Sequence, residues 1–185
     1  FTFGYFTAVD VLAEELKNLR ADAEATSSYF VAETMGRKSG WLCYGVGIAG
    51  EANMILSVED LDEVLTEPEE ITSPLTGKKE TVRKLNIEML VDRIVDMIIA
   101  RERQENKHFG TIVIAEGLVE HLPMRFIEGL PRDPHGHISI GDIDIGKLVS
   151  KMAPERYAER TGGSKKVKGM QLGYETRSVQ PHAFN

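Results

Sequence analysis

The sequence predicts an α/β domain of three layers, with helices on both faces of a mostly parallel sheet. Three observations predict it. Thr111–Ala115 (TIVIA) is a continuous apolar run bounded by Gly110, and a strand without polar alternation is buried on both faces. Ile87, Leu90, Val91, Ile94, Val95, Ile98 and Ile99 recur at helical spacing and mark the strongest helix of the chain. Strands and helices of this kind alternate along the sequence, as they do where helices connect parallel strands.

The elements follow in order. Val9, Leu12, Ala13, Leu16 and Leu19 give an amphipathic helix over about residues 6–21. Tyr29 to Glu33 is a short β-prone run, with MGRKSG as its turn. Residues 38–50 form a close-packed helix rich in small residues (Gly45, Gly47, Ala49 and Gly50). Asn53 to Leu56 is a second strand, and Ser57 with Asp60 three residues later suggests a capped helix over 58–65. Residues 66–84 lack apolar periodicity and hold two prolines, which predicts a surface excursion or small hairpin. Residues 129–142 (GLPRDPHGHISIGD) are a long polar loop, and Ile143 to Ala158 resumes a helical pattern. Lys165 to Gly173 is expected to be a basic loop leading into a last strand.

At 185 residues the chain fits one domain with a real core, and 42% hydrophobic with 28% charged residues places it among globular sequences. A net charge of -7 argues against general affinity for nucleic acid or anionic membranes, while leaving room for a small anionic substrate. No apolar run reaches the roughly 18 residues of a spanning helix. The single cysteine, Cys43, cannot form an internal disulfide, so a cytoplasmic setting is expected. The chain begins at Phe1 and moves at once into a helix, from which we expect one domain of a longer protein.

Met35-Gly36-Arg37 stands at the carboxyl end of a strand, where open α/β sheets bind ligands. Gly36 lets the backbone approach an anion, and Arg37 offers a planar fork to phosphate oxygens; the alternative is a surface arginine in a turn. Glu116 ends the TIVIA strand at the same sheet edge, where it can accept from sugar hydroxyls, bind a metal, act as a base, or cap the next helix. Arg160, Lys165, Lys166 and Lys168 make an acid-free basic cluster, followed by Tyr174 and Arg177, which fits either an anion funnel or a solvated loop. Gly45-x-Gly47-x-x-Gly50 matches the dinucleotide pattern but lies about ten residues past its strand, so helix packing explains it better. His135-x-His137 has no other metal-ligand spacing nearby, and Cys43 is expected to be a buried structural thiol.

Taken together, AETMGRKSGWL, IVIAEG and QLGYETRSVQP resemble the phosphofructokinase family and lean toward its pyrophosphate-dependent branch. The motifs span residues 29–181, and Tyr174 stands where ATP-dependent bacterial relatives usually have a histidine. The resemblance implies that residues 1–185 are the second, fructose 6-phosphate-binding domain, with a surface insertion near 66–84. Met35, Gly36 and Arg37 would contact the sugar phosphate, with Arg37 near the transferring phosphoryl group. Glu116 would hydrogen-bond a sugar hydroxyl, and Tyr174 and Arg177 would hold the 6-phosphate. Lys168 matches a residue that serves a neighbouring subunit, which implies a homo-oligomer, although Ser28 stands where those relatives have a second such arginine. The family's catalytic base and donor loops lie in the first half, so no base and no metal ligand is assigned here, and Mg2+ would come with the pyrophosphate. The rival readings are an ATP-dependent relative, an oxidoreductase domain using Gly45, Gly47 and Gly50, and a non-catalytic anion sensor.

Overall fold

The computed structural model describes residues 4–73, 77–127 and 143–184. Its centre is a four-stranded sheet in the order β2-β5-β1-β6, formed by β1 (Ser28–Thr34), β2 (Met54–Leu56), β5 (Gly110–Ala115) and β6 (Lys166–Leu172). Every pairing in it is parallel. Helices α1 (Tyr5–Thr26) and α2 (Trp41–Ala49) cover one face, and α3 (Ile87–Glu105) and α5 (Ile145–Thr161) cover the other. The period of two in the strands sorts the core between these layers. Tyr29, Val31, Ile112 and Ile114 join Leu90, Ile94, Ile98 and Val149 on one side. Ala32, Val113 and Ala115 join Leu12, Leu16, Cys43 and Val46 on the other. The three-layer prediction is therefore met.

Helix α1 runs five residues beyond the expected end near residue 21, because residues 21–25 are alanine-rich and favour helix without a core contact at every turn. It stops where Ser27 turns left-handed at φ 49°. The helix expected over 58–65 is only a single 3-10 turn, Val58–Asp60. Its capping box forms, with Asp60 accepting from the Ser57 N–H at 2.7 Å. Asp62 then accepts from the N–H groups of Val64 and Leu65 at 2.9 and 2.8 Å, an Asx-type turn that stops the helix.

Strands β3 (Thr66–Thr72) and β4 (Lys79–Leu85) pair antiparallel in a two-stranded sheet separate from the main one. Leu65 and Leu85 anchor its base in the core. Its flank meets the short helix α4 (Met124–Ile127), where Glu69 accepts from the Met124 N–H at 3.0 Å and Arg125 pairs with Glu67 at 3.1 Å.

The expected basic loop is a strand instead. Lys166 and Lys168 lie within β6, pairing with Ser28 and Phe30 of β1. Because β6 is an edge strand, its lysines reach solvent while Val167 packs on the core, and charged side chains suit such an edge. His135, His137 and the rest of the 129–142 loop lie outside the described residues. Among the described residues no helix is long and apolar enough to cross a membrane.

Candidate functional site

The carboxyl ends of β1, β5 and β6 lie side by side, so the segments that follow them must share one edge of the sheet. These segments carry Met35-Gly36-Arg37, Glu116-Gly117 and Gly173 to Arg177. Their meeting is built on close approach. Gly36 has φ +133°, a conformation side chains rarely adopt, and its N–H donates to Glu116 Oε1 at 3.0 Å. A Cβ on Gly117 would strike the Arg37 carbonyl, and one on Gly173 would strike the Met35 sulfur. The three segments thus interlock through glycines and one carboxylate.

The loop continues into α2 without a side-chain N-cap. The Gly40 N–H instead donates to both oxygens of Glu59, at 2.9 and 3.0 Å. Glu59 also accepts from the Ser57 hydroxyl, and these two donors hold its carboxyl below the usual range. The sequence signal at 57–60 was a capping box; the reach of Glu59 to Gly40 across the fold has no sequence signature.

A cleft of about 980 Å³ opens at this edge. Gly36, Ser39, Thr176 and Arg177 supply its polar wall, and Tyr5, Met35, Trp41, Leu42, Val179 and Pro181 the apolar one. Tyr5 donates to the Trp41 carbonyl at 3.1 Å, and Trp41 is 71% exposed. Thr176 is buried and donates to the Gly173 carbonyl at 2.6 Å, setting the turn that presents Arg177. The Arg177 guanidinium lies 4.8 Å from the centre of the Tyr174 ring, which is 73% exposed. Trp41 and Thr176 were not among the sequence candidates as site residues.

Met35, Gly36, Arg37, Glu116, Tyr174 and Arg177 are therefore gathered at one sheet edge, with Met35, Gly36 and Arg177 lining the cleft itself. Arg37 is exposed, and among the described residues no hydrogen bond or ion pair engages its guanidinium. Such a group can take an anion without breaking a protein contact first.

Lys168 stands apart. It lies four residues before the end of β6, roughly 13 Å back along the strand at about 3.3 Å per residue. Its Nζ pairs with Asp22 at 3.3 Å and sits 4.7 Å from the centre of the Phe30 ring. Two more members of the basic cluster are paired with acids rather than open to an anion. Arg160 pairs with Asp96 at 2.5 Å and Asp92 at 3.7 Å. Lys165 is buried against Glu102, whose other oxygen accepts from the Tyr157 hydroxyl at 2.6 Å. The acids come from α3, about 60 residues upstream, and are invisible to a local count of charge.

Gly45 and Gly47 lie inside α2 and Gly50 caps it. A Cβ on each would strike Tyr5, Ile55 and Leu16 respectively, so the pattern is helix packing and opens no dinucleotide loop. Cys43 is fully buried, its thiol facing the Leu56 carbonyl, and burial pushes its pKa up to about 12. Among the described residues no three His, Cys, Asp or Glu side chains are grouped to hold a metal ion.

The family model for phosphofructokinase matches residues 1–185. A pyrophosphate–fructose 6-phosphate 1-phosphotransferase from Naegleria fowleri is 34% identical over 189 residues, covering 100% of this chain and 40% of that protein. One from Thermotoga maritima is 29% identical with the same coverage. An ATP-dependent 6-phosphofructokinase 2 from Clostridium perfringens is 32% identical over 156 residues, covering 82% of this chain and 32% of that protein. The chain thus spans 40% of the length of the first two. In fold it is similar to Pichia pastoris phosphofructokinase in the T-state, with TM-score 0.57 and 15% identity, over 98% of this chain and 15% of that one. It is also similar to the Saccharomyces cerevisiae enzyme, with TM-score 0.51 and 20% identity, over 96% and 17%. Since the family model matches all 185 residues, the chain belongs to the phosphofructokinase family.

Proposed function

We propose that residues 1–185 form the fructose 6-phosphate-binding domain of a longer, cytoplasmic phosphotransferase. In it a phosphoryl group passes from pyrophosphate to the 1-hydroxyl of fructose 6-phosphate, giving fructose 1,6-bisphosphate. The observation that carries this reading is the tie between Gly36 and Glu116, which draws the MGR loop to the end of β5 beside the Tyr174–Arg177 turn. The names of the relatives from Naegleria fowleri and Thermotoga maritima support the donor.

The chemistry asked of this domain is positioning and charge neutralisation, which dominate phosphoryl transfer. Arg177, stacked on Tyr174, holds the 6-phosphate at the cleft wall. Glu116 spends one oxygen on the Gly36 N–H and offers the other to a sugar hydroxyl. Met35 and Gly36 bring backbone against the sugar, and Arg37 meets the transferring phosphoryl group. Lys168, too far along β6 to reach its own cleft, serves the site of a neighbouring subunit in a homo-oligomer. Mg2+ would come with pyrophosphate, held mainly by the remainder of the enzyme, and no step here runs through it. The general base also belongs to that remainder.

The test is turnover of fructose 6-phosphate by the complete enzyme with each donor in turn. Activity with pyrophosphate and not ATP is the expected result. Activity with ATP alone would move the chain to the ATP-dependent branch, to which the Clostridium perfringens enzyme belongs by name.

A further inference from the structure

One buried carboxylate has no part in the site as described. Glu33, on β1, is 4% exposed and points to the α3–α5 side of the sheet, two residues before Met35. Its Oε2 accepts from the Gly146 N–H in the first turn of α5 at 3.0 Å. Its Oε1 accepts from Gln171 Nε2 on β6 at 3.3 Å. One side chain thus bridges three elements of the fold.

Each end of that bridge leads to the site. Gln171 stands two residues before Gly173, whose surface is closed by the Met35 side chain. Glu33 itself stands two residues before Met35. The first turn of α5 fits closely over this junction, because a Cβ on Gly169 would meet the Gly146 carbonyl at 2.5 Å. The next N–H of that turn, on Lys147, is taken by Asp144 at 2.6 Å. The Gly146 N–H therefore depends on Glu33 for an acceptor, and a buried donor left without one is costly. No surface charge explains a carboxylate here; burial and the nearby Asp144 and Glu116 carboxylates all oppose its ionisation.

We infer that Glu33 is a positioning residue that fixes the Met35–Arg37 loop and the Tyr174–Arg177 turn at the separation needed to clasp one sugar phosphate. It touches no substrate. It acts through Gly146 and Gln171, holding β1, the head of α5 and the end of β6 as one unit. The inference rests on the reading of the site given above.

The test uses the complete enzyme carrying Glu33→Ala or Glu33→Gln. Loss of the acceptor in E33A should speed hydrogen exchange at the Gly146 amide about tenfold or more. It should raise KM for fructose 6-phosphate about tenfold while kcat stays within about threefold. E33Q keeps an amide oxygen for Gly146 and should return both measures to within about threefold of the parent. Should E33A fail to fold, Gln171→Ala, which removes an exposed side chain, carries the test with a KM rise of about threefold. Unchanged Gly146 exchange in E33A, an unchanged KM in E33A or Q171A, or an E33Q as impaired as E33A overturns the inference. If the parent enzyme does not turn over fructose 6-phosphate, the functional reading fails, while the exchange measurement still decides whether Glu33 holds the three elements together.

Discussion

The Gly36 N–H and the Glu116 carboxylate meet at 3.0 Å, joining two loops separated by 80 residues of chain. Gly36 sits at a positive φ that exposes its N–H, and Glu116 opens the 3-10 turn after β5. A hydrogen bond to a charged acceptor is worth about 1.5–3 kcal/mol. Glu116→Ala removes that bond together with the oxygen proposed for the sugar, so KM for fructose 6-phosphate should rise roughly ten- to hundredfold. Glu116→Gln keeps one acceptor and should lose less. Steady-state kinetics on the complete enzyme check both, and an E116A enzyme with the parent KM would remove Glu116 from the site.

Arg177 gives the sharper test of phosphate recognition. Its guanidinium stacks on Tyr174 and faces the cleft with no ion pair among the described residues. Arg177→Ala should cost about 1.5–3 kcal/mol of binding, which appears in KM more than in kcat. Arg177→Lys retains the charge without the planar fork, and its KM should fall between the two. Inorganic phosphate should compete with fructose 6-phosphate in the parent and more weakly in R177A.

How far the sequence revealed all this depends on the range of the interaction. The apolar run TIVIA and the heptad-like spacing in α3 are local; the first gave its strand to within one residue, and the second gave the start of its helix at Ile87 but not the end, because residues 100–105 carry no apolar stripe. The gathering of MGR, Glu116 and Tyr174–Arg177 followed from strand ends in a parallel sheet, so their common edge was legible too. What stayed hidden was chosen by tertiary reach. Lys165 looked like part of a free basic patch until Glu102 and Tyr157 folded onto it. Glu33 looked like the polar end of a short strand, and only the arrival of α5 shows why it is buried. The short turn at 58–60 was missed because Asp62 captures two backbone donors in place of another helical turn.

Gly173 links the backbone to the site. Its φ of +155° is strained for any side chain, and a Cβ would collide with the Met35 sulfur. Gly173→Ala should destabilise the fold by about 1–3 kcal/mol through both effects. The displaced turn should also raise KM for fructose 6-phosphate. Met35→Ala in the same chain opens room for the new methyl and should recover part of the stability, measured by denaturant unfolding. Equal losses in the single and double variants would show that backbone strain alone sets the cost.

Glu33 makes stability depend on pH in a direction opposite to that of most carboxylates. Burial, with Asp144 and Glu116 nearby, raises its pKa from 4.5 to about 7 against the hydrogen bonds from Gly146 and Gln171. The folded state thus holds the proton more tightly than the unfolded chain, where the value returns to near 4.5. Its neutral form contributes stability that is fully present below pH 4.5 and is lost as pH rises to about 7. A shift of this size corresponds to at most about 3 kcal/mol, at roughly 1.4 kcal/mol per unit. Glu33→Gln mimics the neutral acid at every pH. The other titrating groups are common to both proteins and largely cancel in the difference between them. Denaturant unfolding should therefore find E33Q and the parent equally stable near pH 4.5, with E33Q gaining steadily up to pH 7 and holding its advantage at pH 8. A difference that stays flat from pH 4.5 to 8 would mean that Glu33 titrates as an ordinary surface carboxylate. The buried bridge from β1 to α5 and β6 would then be open to water.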